Sequence, residues 1–221
     1  MTRQVYLATN NAKKLRELAR IVAEAGLTGV QVLSPAEVPA YPEPAETEWT
    51  FEGNALIKAR AGAAATGMVT LADDSGLCVD ALGGMPGVRS SRWAGPECDD
   101  SANLELVLRQ IDDVAPPRRT ASFVSVMALA TPDGFEAVFR GEMPGVVVDA
   151  PRGDNGFGYD PIFMAADQPT PSDASLGACR RTNAELSAAE KDAISHRGKA
   201  IRALLPTLAK ALGMELPGDT Q

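Results

Sequence analysis

One stretch near the middle of the chain decides how the rest folds: Val69-Thr70-Leu71-Ala72-Asp73-Asp74-Ser75-Gly76-Leu77-Cys78-Val79-Asp80. An apolar run leads into two adjacent aspartates, and an alternating segment follows them. Neighbouring residues of an extended chain point to opposite sides, so one carboxylate can face a ligand while the other points back into the protein. The stretch therefore predicts a strand that ends at an acidic pair.

An acidic pair at a strand end suits a magnesium ion. Mg²⁺ prefers hard oxygen ligands and commonly binds one or two carboxylates together with substrate phosphates. The alternative is a plain Asp-Ser-Gly turn, because these three residue types are common in turns. The segment alone leaves both interpretations open.

The composition limits the classes of protein that the chain can form. Its 221 residues, 45% of them hydrophobic and 23% charged, predict one folded α/β domain. A net charge of −8 argues against a nucleic-acid partner. Cys78, Cys98 and Cys179 are widely spaced and odd in number, which favours reduced thiols. No stretch is long and apolar enough for a signal or a membrane span, so we expect a cytoplasmic protein without a membrane partner.

The amino-terminal region predicts a strand followed by a helix. Gln4 to Ala8 reads as the strand, and apolar residues at helical spacing continue until Gly26. The connecting loop contains good N-cap residues and then Lys13 and Lys14. Because a helix N-terminus disfavours cations, paired lysines there suggest a bound anion, although they could also be two solvated surface lysines.

Later segments carry clear local signals. Four prolines between Ser34 and Glu48 predict an irregular loop that could be a lid or a rim. Thr50 predicts the N-cap of a helix through about Ala65. Thr131-Pro132-Asp133-Gly134 separates two apolar runs and predicts an antiparallel hairpin, which makes the sheet mixed.

Two further groups could bind a ligand. Asp154 to Pro161 holds glycines on either side of Phe157, next to Tyr159; these rings could stack on a planar group or simply anchor the core. Lys191, His196 and Arg197 would diverge on one uninterrupted helix, because they lie about 140° and 240° of rotation apart. We therefore predict a helix break near Ser195, after a capping box at 187–190, although these three could be ordinary solvated cations.

The order of the motifs resembles that of the inosine triphosphatase family, whose members are noncanonical purine nucleoside triphosphate pyrophosphatases. The resemblance spans Val5 to about Leu208 and rests on these segments: Ala8-Thr9-Asn10-Asn11 with Lys14 and Glu17, Thr50-Phe51-Glu52-Gly53-Asn54-Ala55, Ala72-Asp73-Asp74-Ser75-Gly76-Leu77, Asp80-Ala81-Leu82-Gly83-Gly84, Pro86-Gly87-Val88, Gly156-Phe157-Gly158-Tyr159-Asp160-Pro161-Ile162-Phe163 and Ser195-His196-Arg197-Gly198. It implies an elongated mixed α/β fold with two lobes around a central cleft, in a single domain over 1–221 whose tail, 213–221, is frayed. It also implies a homodimer that hydrolyses ITP, dITP and XTP to the monophosphate and pyrophosphate with Mg²⁺.

The resemblance also assigns residues. Asp74 would be the catalytic proton acceptor and a metal ligand, and Glu46 the second metal ligand. The substrate would contact Thr9, Asn10, Asn11, Ala12, Lys13, Lys14, Lys58, Ser75, Phe157, Gly158, Tyr159, Asp160, Lys191, His196 and Arg197. Two departures stand out: Asn10 replaces a common glycine, and the connection over 166–182 is longer than usual. A catalytically silent purine nucleotide sensor and a pyrimidine-directed pyrophosphatase are the alternatives.

Overall fold

A computed structural model describes residues 2–168 and 180–216. The chain divides into two compact units. Unit 1 contains Met1–Asp74, Ser125–Gly141 and Arg197–Gln221. Unit 2 contains Ser75–Val124 and Glu142–His196.

The described residues form six strands and five α-helices. The strands are β1 (Arg3–Leu7), β2 (Val30–Leu33), β3 (Thr70–Val79), β4 (Thr120–Ala130), β5 (Glu136–Val147) and β6 (Phe163–Ala165). The helices are α1 (Ala12–Glu24), α2 (Phe51–Thr66), α3 (Asp100–Gln110), α4 (Ala188–Ile194) and α5 (His196–Ala211).

The strands lie in the order β2-β1-β3-β4-β5-β6, and β3, β4 and β5 contribute residues to both units. In unit 1, β1 pairs in parallel with β2 and with β3. In unit 2, β5 pairs antiparallel with β6. The predicted mixed α/β fold is therefore confirmed.

Strand β3 does not end at the acidic pair, so the prediction of a strand end there is wrong, and so is the turn alternative. The strand continues to Val79 because the residues after the pair find partners. The Leu77 N–H donates to Ser90 Oγ at 2.9 Å. Gly76 lies against the Gly87 carbonyl and the Ser90 hydroxyl, where a Cβ atom would clash.

The core of unit 1 is formed by β1, α1, α5 and the adjoining parts of β3 and β4. Helix α1 begins as predicted, because the Asn11 side chain caps it by accepting from the Lys13 and Lys14 N–H groups. Thr50 likewise caps α2, and Gly67 ends that helix in a left-handed conformation. These ends fix where the lysines of α1 and α2 lie.

The core of unit 2 contains α3 together with apolar residues of β3, β4, β5 and β6. Helix α4 starts with the predicted capping box between Ser187 and Glu190. It stops at Ser195, and α5 starts at His196, so the predicted break is confirmed. Lys191 and His196 therefore belong to separate helices.

Parts of three sequence predictions lie outside the described residues: the middle of the long connection at 166–182, the end of the tail at 213–221, and Cys179. Met214 and Leu216, at the start of that tail, pack against the unit 1 core. Of the helices that the structure describes, none has the length and apolar character needed to cross a bilayer.

Candidate active site

The first of the paired aspartates, Asp73, organises two cations within unit 1. Its carboxylate lies 2.7 Å from Lys14 Nζ and 3.7 Å from Arg197 Nε, and its side chain is 3% exposed. Burial alone would raise the pKa of Asp73, but the charges of Lys14 and Arg197 outweigh burial and lower it to about 2. Asp73 is therefore an ionised anchor in the folded protein.

Arg197 has a second acidic partner. Its Nη1 lies 3.2 Å from Glu17 Oε2 on α1. Since Glu17 and Lys14 share one helix, α1 and the first turn of α5 are joined through a buried charge network. Asp73 and Glu17 carry no assigned role in the sequence analysis, because their partners lie far away in the chain.

The second aspartate, Asp74, faces a different partner. Lys58 Nζ on α2 lies 3.8 Å from Asp74 Oδ1 and 3.0 Å from Glu46 Oε1. Burial, together with the negative charges of Glu46 and Asp73, raises the pKa of Asp74 to about 6 against the opposing pull of Lys58. The two carboxylates predicted to bind metal thus converge on one cation, with too little positive charge to keep Asp74 fully ionised at mildly acidic pH.

A buried amide, Asn54, supports this arrangement. Its side chain is fully buried on α2, and its Oδ1 accepts the Glu48 N–H at 2.9 Å. The Asn54 amide also acts to lower the pKa of Asp74, against the larger effect of burial. Asn54 therefore ties the segment that carries Glu46 to the helix that carries Lys58. The only sequence signal for Asn54 is its place about one turn after the N-cap Thr50, within the same motif.

The oxygen donors fit a hard divalent ion. The described residues contain no group of three His, Cys, Asp or Glu side chains able to hold a metal. Asp74 and Glu46 would thus supply two ligands, and Mg²⁺ commonly takes the others from phosphate and water. The raised pKa of Asp74 is the property expected of a carboxylate whose cation partner is incomplete.

The helix-start loop lies beside a pocket of about 180 Å³ within unit 1. Thr9, Asn10 and Lys58 form its polar side. Tyr6 and Tyr41, whose hydroxyls are 3.0 Å apart, form the aromatic side together with three prolines of the segment 35–44. The segment predicted to be irregular thus lines one side of this pocket, and its role as a lid or a rim stays a prediction. Ala12, Lys13 and Lys14 occupy the first turn of α1, where Asn11 already accepts two N–H groups.

In unit 2, the loop from Asp154 to Pro161 is organised around the carboxylate of Asp160. Asp160 is 2% exposed and its Oδ2 accepts the Phe157 N–H at 2.9 Å. Lys191 Nζ forms an ion pair with the same oxygen. Gly156 leaves room for this contact, since a Cβ atom there would collide with the carboxylate. Asp160 and Lys191 are thus brought together as one ion pair.

The two aromatic residues of this loop have different environments. Phe157 is 52% exposed, and Lys191 Nζ lies 5.3 Å from its ring centroid. Tyr159 is 4% exposed and its hydroxyl donates to the Ser90 carbonyl at 2.8 Å. Tyr159 therefore matches the core-anchoring alternative, whereas the Phe157 ring is open to a ligand. Gly158 lies between them, and its N–H donates to Asp100 at 2.8 Å.

The remaining predicted residues of unit 2 are His196 and Ser75. The His196 ring stacks on Phe123, with ring centroids 5.2 Å apart and planes 14° from parallel. Ser75 is half-buried on β3, directly after Asp74 in the chain. The structure thus gathers the predicted residues into a cation and carboxylate group in unit 1 and an aromatic and charged group in unit 2.

A mixed α/β fold with partly buried lysines and an arginine around paired carboxylates fits a protein that binds phosphorylated substrates. The Ham1 family model matches residues 5–207, and the chain belongs to the Ham1 family. A dITP/XTP pyrophosphatase of Corynebacterium efficiens is 55% identical over 211 residues, which cover 95% of this chain and 99% of that protein.

Solved structures agree with this assignment. A nucleoside-triphosphatase and dITP/XTP pyrophosphatase of Mycobacterium abscessus matches with a TM-score of 0.76 and 49% identity, over 93% of this chain and 99% of its own. A HAM1 protein of Coxiella burnetii matches with a TM-score of 0.81 and 37% identity, over 95% and 100% of the two chains.

Proposed function

We propose that the chain hydrolyses noncanonical purine nucleoside triphosphates, namely dITP, ITP and XTP, to the monophosphate and pyrophosphate. The observation that carries this proposal is the unit 1 group, in which Asp74 and Glu46 meet beside Lys58 while Asp73 orients Lys14 and Arg197. The relatives named as dITP/XTP pyrophosphatases support the choice of substrates.

We assign the phosphate chemistry to unit 1. Lys14, Lys58 and Arg197 are partly buried cations, which neutralise phosphate oxygens more strongly than fully solvated ones. Thr9, Asn10 and Lys13 add polar groups around the start of α1. Phosphoryl transfer depends on positioning and charge neutralisation, so water is the nucleophile and no protein nucleophile is needed.

Asp74 accepts the proton from that water. A general base works best when its pKa lies near the working pH, and burial raises the pKa of Asp74 to about 6. Asp74 and Glu46 would hold Mg²⁺, which supplies charge neutralisation at the phosphates when bound. Asn54 keeps the Glu46 segment on α2 while this happens.

We assign recognition of the purine base to unit 2. The exposed Phe157 ring offers a stacking surface, and Lys191 supplies a donor for a 6-oxo group. A 6-amino group would leave such a donor unpaired, so adenine is rejected. Ser75, Gly158 and His196 complete the proposed contacts of the substrate, whereas Tyr159 anchors the loop in the core and Asp160 holds Lys191.

We further propose a homodimer, on the family resemblance, and a cytoplasmic location without nucleic-acid or membrane partners. The odd number and wide spacing of Cys78, Cys98 and Cys179 support a reducing compartment. The net charge of −8 supports the absence of a nucleic-acid partner.

Product analysis tests the proposed function. Incubation of the protein with dITP or XTP and Mg²⁺ is expected to release equal amounts of monophosphate and pyrophosphate, separated by ion-exchange chromatography. A chelator should stop the reaction and added Mg²⁺ should restore it. Turnover of dATP should be lower by a factor of about 100, because an unpaired buried donor discriminates strongly. Orthophosphate as the first product, or a sensor-like absence of turnover, would contradict the proposal.

A further inference from the structure

The Asp160 carboxylate is held by three donors from three segments of unit 2. Its Oδ2 accepts from the Phe157 N–H and from Lys191 Nζ. Its Oδ1 accepts from Asn183 Nδ2 at 3.4 Å. Among the described residues, Asn183 is the donor that meets the other oxygen of the carboxylate, so this contact limits rotation of the group.

The burial of Asn183 at this position costs free energy of folding. It is fully buried, and its Oδ1 has no hydrogen-bond partner among the described residues. A buried acceptor without a partner costs free energy that an apolar side chain would not. The opposite orientation of the amide would point its oxygen at a carboxylate oxygen. What the amide contributes here is therefore its hydrogen bond to Asp160.

The backbone delivers Asn183 to Asp160 without help from its side chain. Asn183 starts a short 3-10 helix that Thr182 and Glu185 close with a capping box. The Thr182 hydroxyl donates to the Arg152 carbonyl at 2.7 Å, and the Asn155 N–H donates to the Ala184 carbonyl at 3.0 Å. Removing the Asn183 amide should therefore leave the docking of this segment intact.

We propose that Asn183 is a positioning residue for purine recognition, an inference that rests on the proposed function. By fixing Asp160, it fixes Lys191, which shares the carboxylate and lies over the Phe157 ring. Without the amide, the carboxylate can rotate and Lys191 with it, so the donor for a 6-oxo group is no longer held in one place. The phosphate chemistry of unit 1 uses none of these contacts.

The test compares Asn183→Ala with Asn103→Ala, a matched control. Asn103 is also a buried amide of unit 2, but it bonds Ala94 and Ser91 and makes no contact with Asp160. Asn183→Ala is expected to raise KM for dITP about tenfold with kcat within about twofold, and to lower the preference for dITP over dATP about tenfold. Asn103→Ala should lower the melting temperature while keeping the preference for dITP.

Asn183→Asp supplies a second variant of the same shape, in case the alanine variant does not fold. It places a second carboxylate beside Asp160, so it should lower the preference for dITP at least as much as Asn183→Ala. A preference that changes no more than in Asn103→Ala, in whichever Asn183 variant folds, would overturn the positioning role. Absence of dITP and XTP hydrolysis by the unmodified protein would overturn the proposed function instead.

Discussion

Replacing Asp74 by asparagine is expected to lower kcat for dITP by roughly 10³-fold, because the variant loses both the proton acceptor and a carboxylate proposed to bind metal. Steady-state kinetics with Mg²⁺ measures this loss. Glu52→Gln is the matched control, since Glu52 is a unit 1 carboxylate that pairs with Arg140 and has no place in the site. Near-normal turnover in Asp74→Asn would show that another group accepts the proton.

The same substitution is expected to stabilise the metal-free protein at neutral pH. Burial raises the pKa of Asp74 to about 6, so the folded state holds its proton more tightly than the unfolded chain does. Ionisation of Asp74 therefore lowers stability as pH rises from about 4 to about 6, by up to about 3 kcal/mol. Urea unfolding in the presence of a chelator should show Asp74→Asn more stable than the unmodified protein at pH 8, and little different at pH 4.

Replacing Asp73 by asparagine is expected to have the opposite effect on stability. The folded protein would keep the Lys14 and Arg197 charges after losing their buried counter-charge, a change that costs about 3 kcal/mol. For a chain of this length that lowers the melting temperature by roughly 6–12 °C. Calorimetry at pH 7 checks this, and an unchanged melting temperature would show that the network contributes nothing to folding.

The pH dependence of the Asp73 effect follows from the sign of its pKa shift. Because its pKa in the folded protein is lowered to about 2, its contribution is fully present above the ordinary aspartate value of about 4. That contribution is lost as pH falls from about 4 towards 2. The difference in stability between Asp73→Asn and the unmodified protein should therefore shrink over this range. Acidification thus removes the stabilising contribution of Asp73, whereas it removes the destabilising contribution of ionised Asp74.

Local signals predicted a large part of the fold. The caps at Asn11, Thr50 and Ser187 and the break at Ser195 were readable because each depends on residues within one turn. The hairpin around 131–134 was readable for the same reason. Strands β2 and β6 were missed, because four and three residues are too few to show a period.

The errors and omissions arise from contacts between distant segments. Strand β3 runs through the acidic pair because Ser90 hydrogen-bonds Leu77, beyond the pair. No local sequence pattern predicts Ser90 as the partner. The partners of Asp73 lie on α1 and α5, so its structural role could not be separated from the proposed metal role of Asp74. Asn54 and Asn183 were missed because a buried amide has the same appearance in a sequence as a surface one.

The cations of unit 1 are already matched before any ligand arrives: Lys14 and Arg197 by Asp73, and Lys58 by Glu46 and Asp74. An incoming triphosphate must therefore share these cations with internal carboxylates, which weakens its capture. The same carboxylates stay beside the lysines and the arginine once the bond is cleaved, and so favour the release of pyrophosphate. This arrangement weakens substrate binding but speeds product release. Rapid release suits an enzyme that removes a scarce nucleotide in the presence of many related anions.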